Sequence, residues 1–379
     1  MKNNKICTIN IKNFKQYFKL FILIFSSIVG VGFVSGSEIV QFFTKYGQFA
    51  YIGAGLFFIL VYVITSRILL EINGLKVKSK SRKNTKIKKC KNENLKCKNL
   101  KKNCREMVTF LNVFVISGAM FSGLKHLLKE LYNNNFLIMY LIFILVIFIV
   151  LYFGVEWLVK IDIFVLLFTL FIVFSLLFQI LKIDCYDWVD LVGNIKGGIT
   201  NNIKNNLNGN ENIVVFSKNL CFSLLFSILY VFMNFFQLKP IIQESKIQFE
   251  SKKKCCIFAL IFSAILTIIL CVFIRFLTKF NEFSVYKMPF LQFFSFKNSI
   301  LKWVFSIGLI VCLSTTLISC LIGLKRYYKK FILAKSNLKL SFVVYSISLI
   351  FGLIDFSFFV QIAYPFLGVI NLIAFIIFL

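Results

Sequence analysis

The chain has 379 residues, of which 59% are hydrophobic and only three are prolines. Soluble domains are about 45–50% apolar. Here apolar runs of about 20 residues recur, and each run is longer than the alternating strands of roughly 10 residues in a membrane β-barrel. The apolar fraction therefore excludes a soluble domain, and the length of the runs excludes a β-barrel. The formal net charge of +29 suggests a nucleic-acid partner, which we reject because the positive residues concentrate in loops on one predicted side of a membrane.

The apolar runs predict an all-α polytopic membrane protein, with residues 1–379 as a single membrane domain and about ten transmembrane helices. The first run leads into a glycine-rich motif without a small-residue cleavage site, so we expect no cleavable signal peptide. A short amphipathic piece near 288–297 precedes the eighth span. The predicted spans cover approximately 17–43, 47–72, 107–128, 135–154, 158–181, 214–238, 255–277, 299–324, 340–356 and 358–379.

Positive charge marks one side of the predicted membrane domain. Residues 75–105 contain 14 Lys and Arg against one Glu, and residues 325–339 contain six Lys and Arg. The opposite connection, 183–212, has two lysines against four acidic residues. Because cytoplasmic loops carry the excess of positive residues, we expect a multi-pass protein of the cell membrane with a cytoplasmic N-terminus.

The basic cytosolic insert 75–105 contains Cys90, Cys97 and Cys104 at a spacing of seven residues. Structural zinc sites usually contain closely spaced CxxC pairs, and this insert has none. We therefore interpret it as a basic loop attracted to the anionic headgroups of membrane lipids. The eleven cysteines are scattered through apolar runs and predicted cytosolic loops, where thiols stay reduced, so we expect no disulfides.

An unusual group of residues interrupts the first predicted span. Three glycines, two serines and an acid occur within nine residues of apolar sequence: Gly30, Gly32, Ser35, Gly36, Ser37 and Glu38. Glycine weakens a helix by about 1 kcal/mol relative to alanine, and a charge near the bilayer centre costs roughly 2.5–3.5 kcal/mol. The pattern favours a broken helix whose free backbone groups face a cavity.

The connection 183–212 divides the spans into a first five-helix repeat, 17–181, and a second, 214–379. The first span of the second half carries Tyr230 and Asn234 in apolar company. Polar content in the first helix of each half is typical of a 5+5 inverted repeat, in which helices 1 and 6 are interrupted and the binding site lies where they meet.

The segment from Gly30 to Phe43, followed by Tyr46 and Gly47, resembles the opening signature of the YkvI-type bacterial membrane proteins, whose usual form is close to GAGFASGQE-I-FF. The segments 230–234 and 288–291 are similar to further positions of that family. The departures are Val at 31 and 34, Ser at 37, and the basic insert. The family is similar in layout to the amino acid–polyamine–organocation transporters with the leucine-transporter fold, so the resemblance implies that fold and a transport role.

Backbone groups freed by the break suggest two kinds of ligand. The half-helix beginning near Ser35 presents N–H groups to a substrate carboxylate or another anion, and the preceding carbonyls can coordinate a cation. The resemblance implies a sodium site between the break and the eighth span, where hydroxyls are available; the alternative is that these hydroxyls bond to their own helix carbonyls. They belong to Ser314, Thr315 and Thr316.

Glu38 has two interpretations. A proton on Glu38 can take the place of sodium as the coupling ion. Alternatively, Glu38 is a structural carboxylate that pairs with a polar group such as Asn234.

The sequence predicts a secondary active transporter of a small polar solute, an amino acid or an amine, driven by a Na⁺ or H⁺ gradient. No ATP-binding loop is present in the sequence, and we expect neither an enzyme nor a cofactor other than Na⁺ as a coupling ion. The alternative is a membrane receptor or sensor that binds a ligand on a transporter fold. The expected partners are the solute and membrane lipids.

Overall fold

The structure is a computed structural model that describes residues 16–74, 91–153, 158–184, 210–235, 238, 242, 249, 251–331 and 337–378. Every regular element within these ranges is helical, which confirms the all-α prediction for the described part of the chain. Residues 75–90, most of the connection 183–212 and most of 236–248 lie outside the described residues.

The predicted basic loop 75–105 is wrong for its second part, because a helix begins at Lys91, and only its first part, 75–90, lies outside the described residues. The predicted interruption of the sixth span is also wrong for the described part of that span, which is one continuous helix from Asn210 to Phe235. Its polar side chains Ser227 and Asn234 donate to carbonyls of their own helix and so do not require a break.

The first half of the chain begins with three short helices, α1–α3, and continues with four long ones, α4–α7. A single 3₁₀ segment, Thr44–Phe49, connects α3 to α4. The bounds in chain order are α1 Gln16–Ile28, α2 Val31–Val34, α3 Ser37–Phe42, α4 Ala50–Ile72, α5 Lys91–Tyr132, α6 Phe136–Phe153 and α7 Leu158–Asp184.

The second half contains four long helices and the predicted short amphipathic helix, α10. Its last span begins with one turn, α13, which passes through a π-helical segment at Phe359–Ala363 into α14. The bounds are α8 Asn210–Phe235, α9 Lys252–Lys279, α10 Pro289–Lys297, α11 Ser299–Phe331, α12 Asn337–Phe351, α13 Phe356–Phe358 and α14 Tyr364–Phe378.

Seven helical stretches in the described residues are long and apolar enough to cross a membrane. This supports a multi-pass membrane protein, although fewer full spans than the approximately ten predicted. The break shortens α1, which contains only Gln16–Ile28. The helical turn Asn133–Asn135 joins α5 and α6 into one continuous stretch. Near the C-terminus, the apolar part of α12 is the short segment Phe342–Phe351.

Helices of the first half of the chain pack against helices of the second half. Helix α4 lies against α9, α5 against α11, and α6 against α12. Helix α8 packs against both α4 and α14. Small residues permit the close approaches, as at Gly53 of α4, where a methyl group would lie 2.9 Å from the Ser223 hydroxyl of α8. Such small residues are typical of contacts between membrane helices.

A buried amide pair joins three of these helices. Asn112 of α5 and Asn371 of α14 donate to each other at 2.6 and 2.7 Å, and Asn371 also donates to the Phe232 carbonyl of α8 at 3.1 Å. Both side chains are almost completely buried. A buried amide without a partner is unfavourable, so this pair fixes how α5 and α14 are aligned.

We expect Asn371→Leu to destabilise the protein, because it leaves the side-chain oxygen of Asn112 buried without its donor, although the Asn112 amide nitrogen keeps its bond to the Val108 carbonyl. The expected loss is about 1–3 kcal/mol of unfolding free energy. The measurement is thermal unfolding in detergent. The double variant Asn112→Leu/Asn371→Leu is the control and should recover part of the loss, since neither amide then remains unpaired. A double variant less stable than both single variants contradicts the assignment.

Candidate functional site

The first span is broken at the predicted place. Helix α1 ends at Ile28, and Gly30 N–H donates to the Ile28 carbonyl at 2.9 Å instead of continuing the helical pattern. After the four residues of α2, Gly36 adopts φ 86°, in the left-handed region. That conformation favours glycine, because a side chain there meets the following carbonyl oxygen. The chain then turns into α3.

Both predicted serines form hydrogen bonds with the backbone at the break. The hydroxyls of Ser35 and Ser37 donate to the Gly32 carbonyl at 3.4 and 3.3 Å, and their oxygens lie 3.1 Å apart. Gly32 O therefore receives two side-chain donors within the bend. Helix α3 has only six residues, which limits its dipole. Binding of a substrate carboxylate at its N-terminus stays a prediction.

Glu38 is the acid of the site, and it lies in the core with only 4% of its surface exposed. Its Oε2 accepts a hydrogen bond from the Tyr230 hydroxyl of α8 at 3.0 Å. The carboxyl group also lies directly on Gly32, where an added methyl group would overlap it. No lysine, arginine or histidine among the described residues forms an ion pair with Glu38.

If Glu38 were a structural carboxylate, the sequence predicted Asn234 as its hydrogen-bond partner. The partner in the structure is Tyr230 instead. Asn234 lies one turn further along α8, and its amide donates to the Tyr230 carbonyl at 3.3 Å. Asn234 is almost fully buried. Asn234 therefore bonds within its own helix, and of the two predicted residues of the sixth span it is Tyr230 that contacts Glu38.

Aromatic rings enclose the Tyr230 side of the site. The centroid of the Tyr230 ring lies 5.1, 5.5 and 5.9 Å from those of Phe42, Phe43 and Phe57. The phenol of Tyr364 on α14 is fully buried and lies within electrostatic range of Glu38. The phenol that donates to the Glu38 carboxyl group is therefore packed among aromatic rings.

Helix α10 covers the break, a contact that the sequence analysis missed. Phe290 N–H donates to the Ser35 carbonyl at 3.0 Å. The Phe290 ring lies on Gly36, where an added methyl group would be 3.2 Å from the ring carbons. The same ring contacts Phe273 and Phe276 of α9, with centroid distances of 4.9 and 5.6 Å. The sequence predicted the short amphipathic helix at 288–297 but not its contact with the break.

Two polar contacts connect the α10 region to other helices. The Lys287 ammonium donates to both carboxylate oxygens of Asp355 at 2.9 and 2.7 Å. This bond and that from the Ser357 N–H hold the pKa of Asp355 below its usual value. Gln292 donates to Glu130 of α5 at 3.1 Å. These contacts place α10 between α5, α13 and the break.

The three hydroxyls proposed for sodium lie on α11, and one of them reaches the break. A methyl group placed on Gly30 would lie 3.9 Å from Oγ1 of Thr316. Each of the three hydroxyls donates to a carbonyl of its own helix, at 2.7, 3.0 and 3.0 Å for Ser314, Thr315 and Thr316. Their oxygens can still accept or coordinate, so the sodium site stays a prediction, with Thr316 next to the break.

A model of the FUN14 family matches residues 29–118 of the chain. The matched stretch begins at the break and includes α2–α4 and part of α5. No curated protein matches the chain.

The resemblance to YkvI-type proteins and to the amino acid–polyamine–organocation transporters is wrong, because the family model that matches the same glycine-rich segment belongs to a different family. The resemblance depended mainly on the segment from Gly30 to Phe43, with two short further segments at 230–234 and 288–291. Small residues in apolar sequence recur wherever membrane helices pack closely or bend, so such a short pattern does not identify a family.

Proposed function

We propose that the protein is a secondary active transporter of a small polar solute, an amino acid or an amine, driven by an H⁺ or Na⁺ gradient. The observation that supports this most is the broken first span, which places the Glu38 carboxyl in the core against Tyr230 of α8. Irregular backbone within a membrane domain is tolerated where it is buried in protein or lines a cavity. An intramembrane acid at such a break marks a solute or ion pathway.

The proposal includes about ten spans in a 5+5 inverted repeat. Counting α1–α3 as one span and α13–α14 as another gives five spans on each side of the connection 183–212. The packing of α4 on α9, α5 on α11 and α6 on α12 supports this, since each pair joins corresponding positions of the two halves. An odd number of spans in each half inverts the second half relative to the first.

We also propose a cell-membrane location with the N-terminus in the cytoplasm, on the charge asymmetry of the loops. Helix α5 begins at Lys91, whereas the apolar stretch within it begins at Glu106. The preceding residues 91–105 carry six Lys and Arg. In this orientation the basic end of α5 stands at the cytoplasmic surface, where anionic lipid headgroups attract it.

The direct test is uptake by proteoliposomes containing the purified protein. Radiolabelled amino acids and amines would be supplied one at a time, with an imposed H⁺ gradient, an imposed Na⁺ gradient or neither. We expect at least one solute to accumulate against its own gradient, and Glu38→Gln to abolish that accumulation. The matched control is Glu71→Gln, which changes an exposed acid at the end of α4.

The alternative is a receptor or sensor, which the length of α5 favours. This 42-residue helix connects the basic insert to the helices around the break without an interruption, so it can transmit ligand binding to the insert. The two functions differ in one measurement. Binding of a solute without uptake or counterflow, by protein shown to be correctly inserted, would exclude transport and support the receptor.

A further inference from the structure

We propose that Glu38 holds a proton and an organic ammonium cation in turn, so that the protein exchanges one proton for one monovalent amine. This inference depends on the proposed transport function and identifies its substrate class and coupling ion. The geometry behind it is a buried carboxyl group with one hydrogen-bond donor and aromatic neighbours, located at a break between helices.

The first step concerns charge. Glu38 is 4% exposed, accepts one hydrogen bond from Tyr230, and pairs with no cation among the described residues. A single hydrogen bond from a neutral phenol does not compensate for burying a full charge, and such groups become neutral instead. The site therefore requires one positive charge beside the carboxylate, either a proton on its oxygen or a bound cation.

The second step concerns which groups can supply that charge. The titratable groups that face Glu38 from the packed helices are the phenols of Tyr230 on α8 and Tyr364 on α14. The Cys320 thiol of α11 lies near Tyr364. Helix α9 presents Phe273 to Phe33 of α2 on this side. Phenols and thiols are neutral or negative, so none of these described groups supplies the positive charge, and we assign it to a proton or a bound cation.

The third step concerns the shape of that charge. An alkylammonium group has three N–H donors, and the acceptors at the break are the Glu38 carboxylate and the hydroxyl oxygens of Ser35 and Ser37, whose own protons bond to the Gly32 carbonyl. The described site has no cationic side chain to pair with a substrate carboxylate, which favours a simple amine over an amino acid.

The exchange follows from these requirements. When the amine arrives, the Glu38 carboxyl releases its proton to water on that side of the membrane, and the carboxylate forms an ion pair with the ammonium group. When the amine leaves, the carboxylate takes up a proton again. One positive charge is present in either state, so the cycle moves no net charge. The protein alternates between the two sides with its site neutral.

The binding test uses the full-length protein in detergent, with phenethylamine, butylamine and methylamine as probes and 2-phenylethanol as the neutral counterpart of the first. Calorimetry in two buffers of different ionisation enthalpy counts the protons released. We expect the release of one proton for each amine bound. While Glu38 is protonated in the free protein, the apparent Kd for the amine should fall about tenfold for each unit by which the pH rises. The neutral alcohol should neither bind competitively nor release a proton.

Variants distinguish a role of the Glu38 carboxylate in binding from a general effect on folding. Glu38→Gln should lose amine binding and proton release, Glu38→Asp should keep proton release with weaker binding, and Glu71→Gln should match the wild type. The inference is overturned if none of the three amines binds, if an amine binds without releasing a proton, or if Glu38→Gln binds it as well as the wild type does. Release of the proton by Na⁺ in place of amines also overturns it.

Proteoliposomes distinguish this inference from the proposed function. Amine uptake coupled to outward proton movement, and unchanged when valinomycin and K⁺ set the membrane potential, is the expected result for electroneutral exchange. Uptake of a neutral solute or a zwitterion, without proton exchange, retains the transporter and overturns the inference. If the protein binds an amine and releases a proton but moves neither across the vesicle membrane, the proposed transport function is overturned. The competition between the proton and the amine for Glu38 is then retained.

Discussion

Gly32→Ala is expected to reduce uptake of the transported solute by about 10- to 100-fold, the effect of losing one charge-assisted hydrogen bond. A methyl group on Gly32 would occupy the space of the Glu38 carboxyl group. That group is the end of a flexible side chain, so it moves aside and gives up its bond to Tyr230, while the helices keep their packing. The loss should therefore reduce uptake and also lower the melting temperature moderately, because the Tyr230 hydroxyl is left buried without its acceptor.

The matched control is Gly55→Ala. Gly55 lies on α4, where an added methyl group meets nothing within 4 Å, so uptake and melting temperature should both match the wild type. Proteoliposome uptake and thermal unfolding in detergent check the pair of variants. Wild-type uptake by Gly32→Ala would show that the position of the Glu38 carboxyl group does not matter for function.

Phe290→Ala is expected to destabilise the protein by about 3–5 kcal/mol, the usual cost of removing a buried phenylalanine ring. Phe290 is 0% exposed, and its ring fills the space between Gly36 and the rings of Phe273 and Phe276. The alanine variant retains the backbone N–H that bonds to Ser35, so the measured loss is due to the ring.

Phe296→Ala is the matched control on the same helix. Phe296 is 71% exposed, and its removal should change the melting temperature little in detergent, because it leaves no cavity in the core. Equal destabilisation by the two variants would contradict the contact between α10 and the break. The ranking of the two melting temperatures, measured under the same conditions, is the decisive measurement.

The break itself could be predicted from the sequence, because its cause is local. Glycine has no side chain to restrict the backbone, and an acid in apolar sequence requires a special environment, so the order Gly30, Gly32, Gly36, Glu38 indicates an interruption without knowledge of the fold. The structure has the interruption there, with the left-handed conformation at Gly36. The predicted polar content of α8 also lies beside it, through Tyr230.

Partners distant in sequence could not be predicted in the same way. The chain contains 49 phenylalanines, and nothing in the sequence pattern separates Phe290 from the others, because its contact with Ser35 uses only its backbone N–H. The choice of Tyr230 over Asn234 as the partner of Glu38 depends on how α8 is rotated against α3. Rotation is determined by packing among several helices, which a local pattern does not contain.

The hydrogen bond from Phe290 to Ser35 joins two incomplete helices. Phe290 lies in the first turn of α10 after Pro289, where backbone N–H groups have no partner within their own helix. Ser35 O belongs to a carbonyl released by the bend at Gly36. Separating α10 from the break would leave a bare donor and a bare acceptor in apolar surroundings, which is unfavourable unless water reaches both. Hydration of the broken helix and departure of α10 are therefore one event.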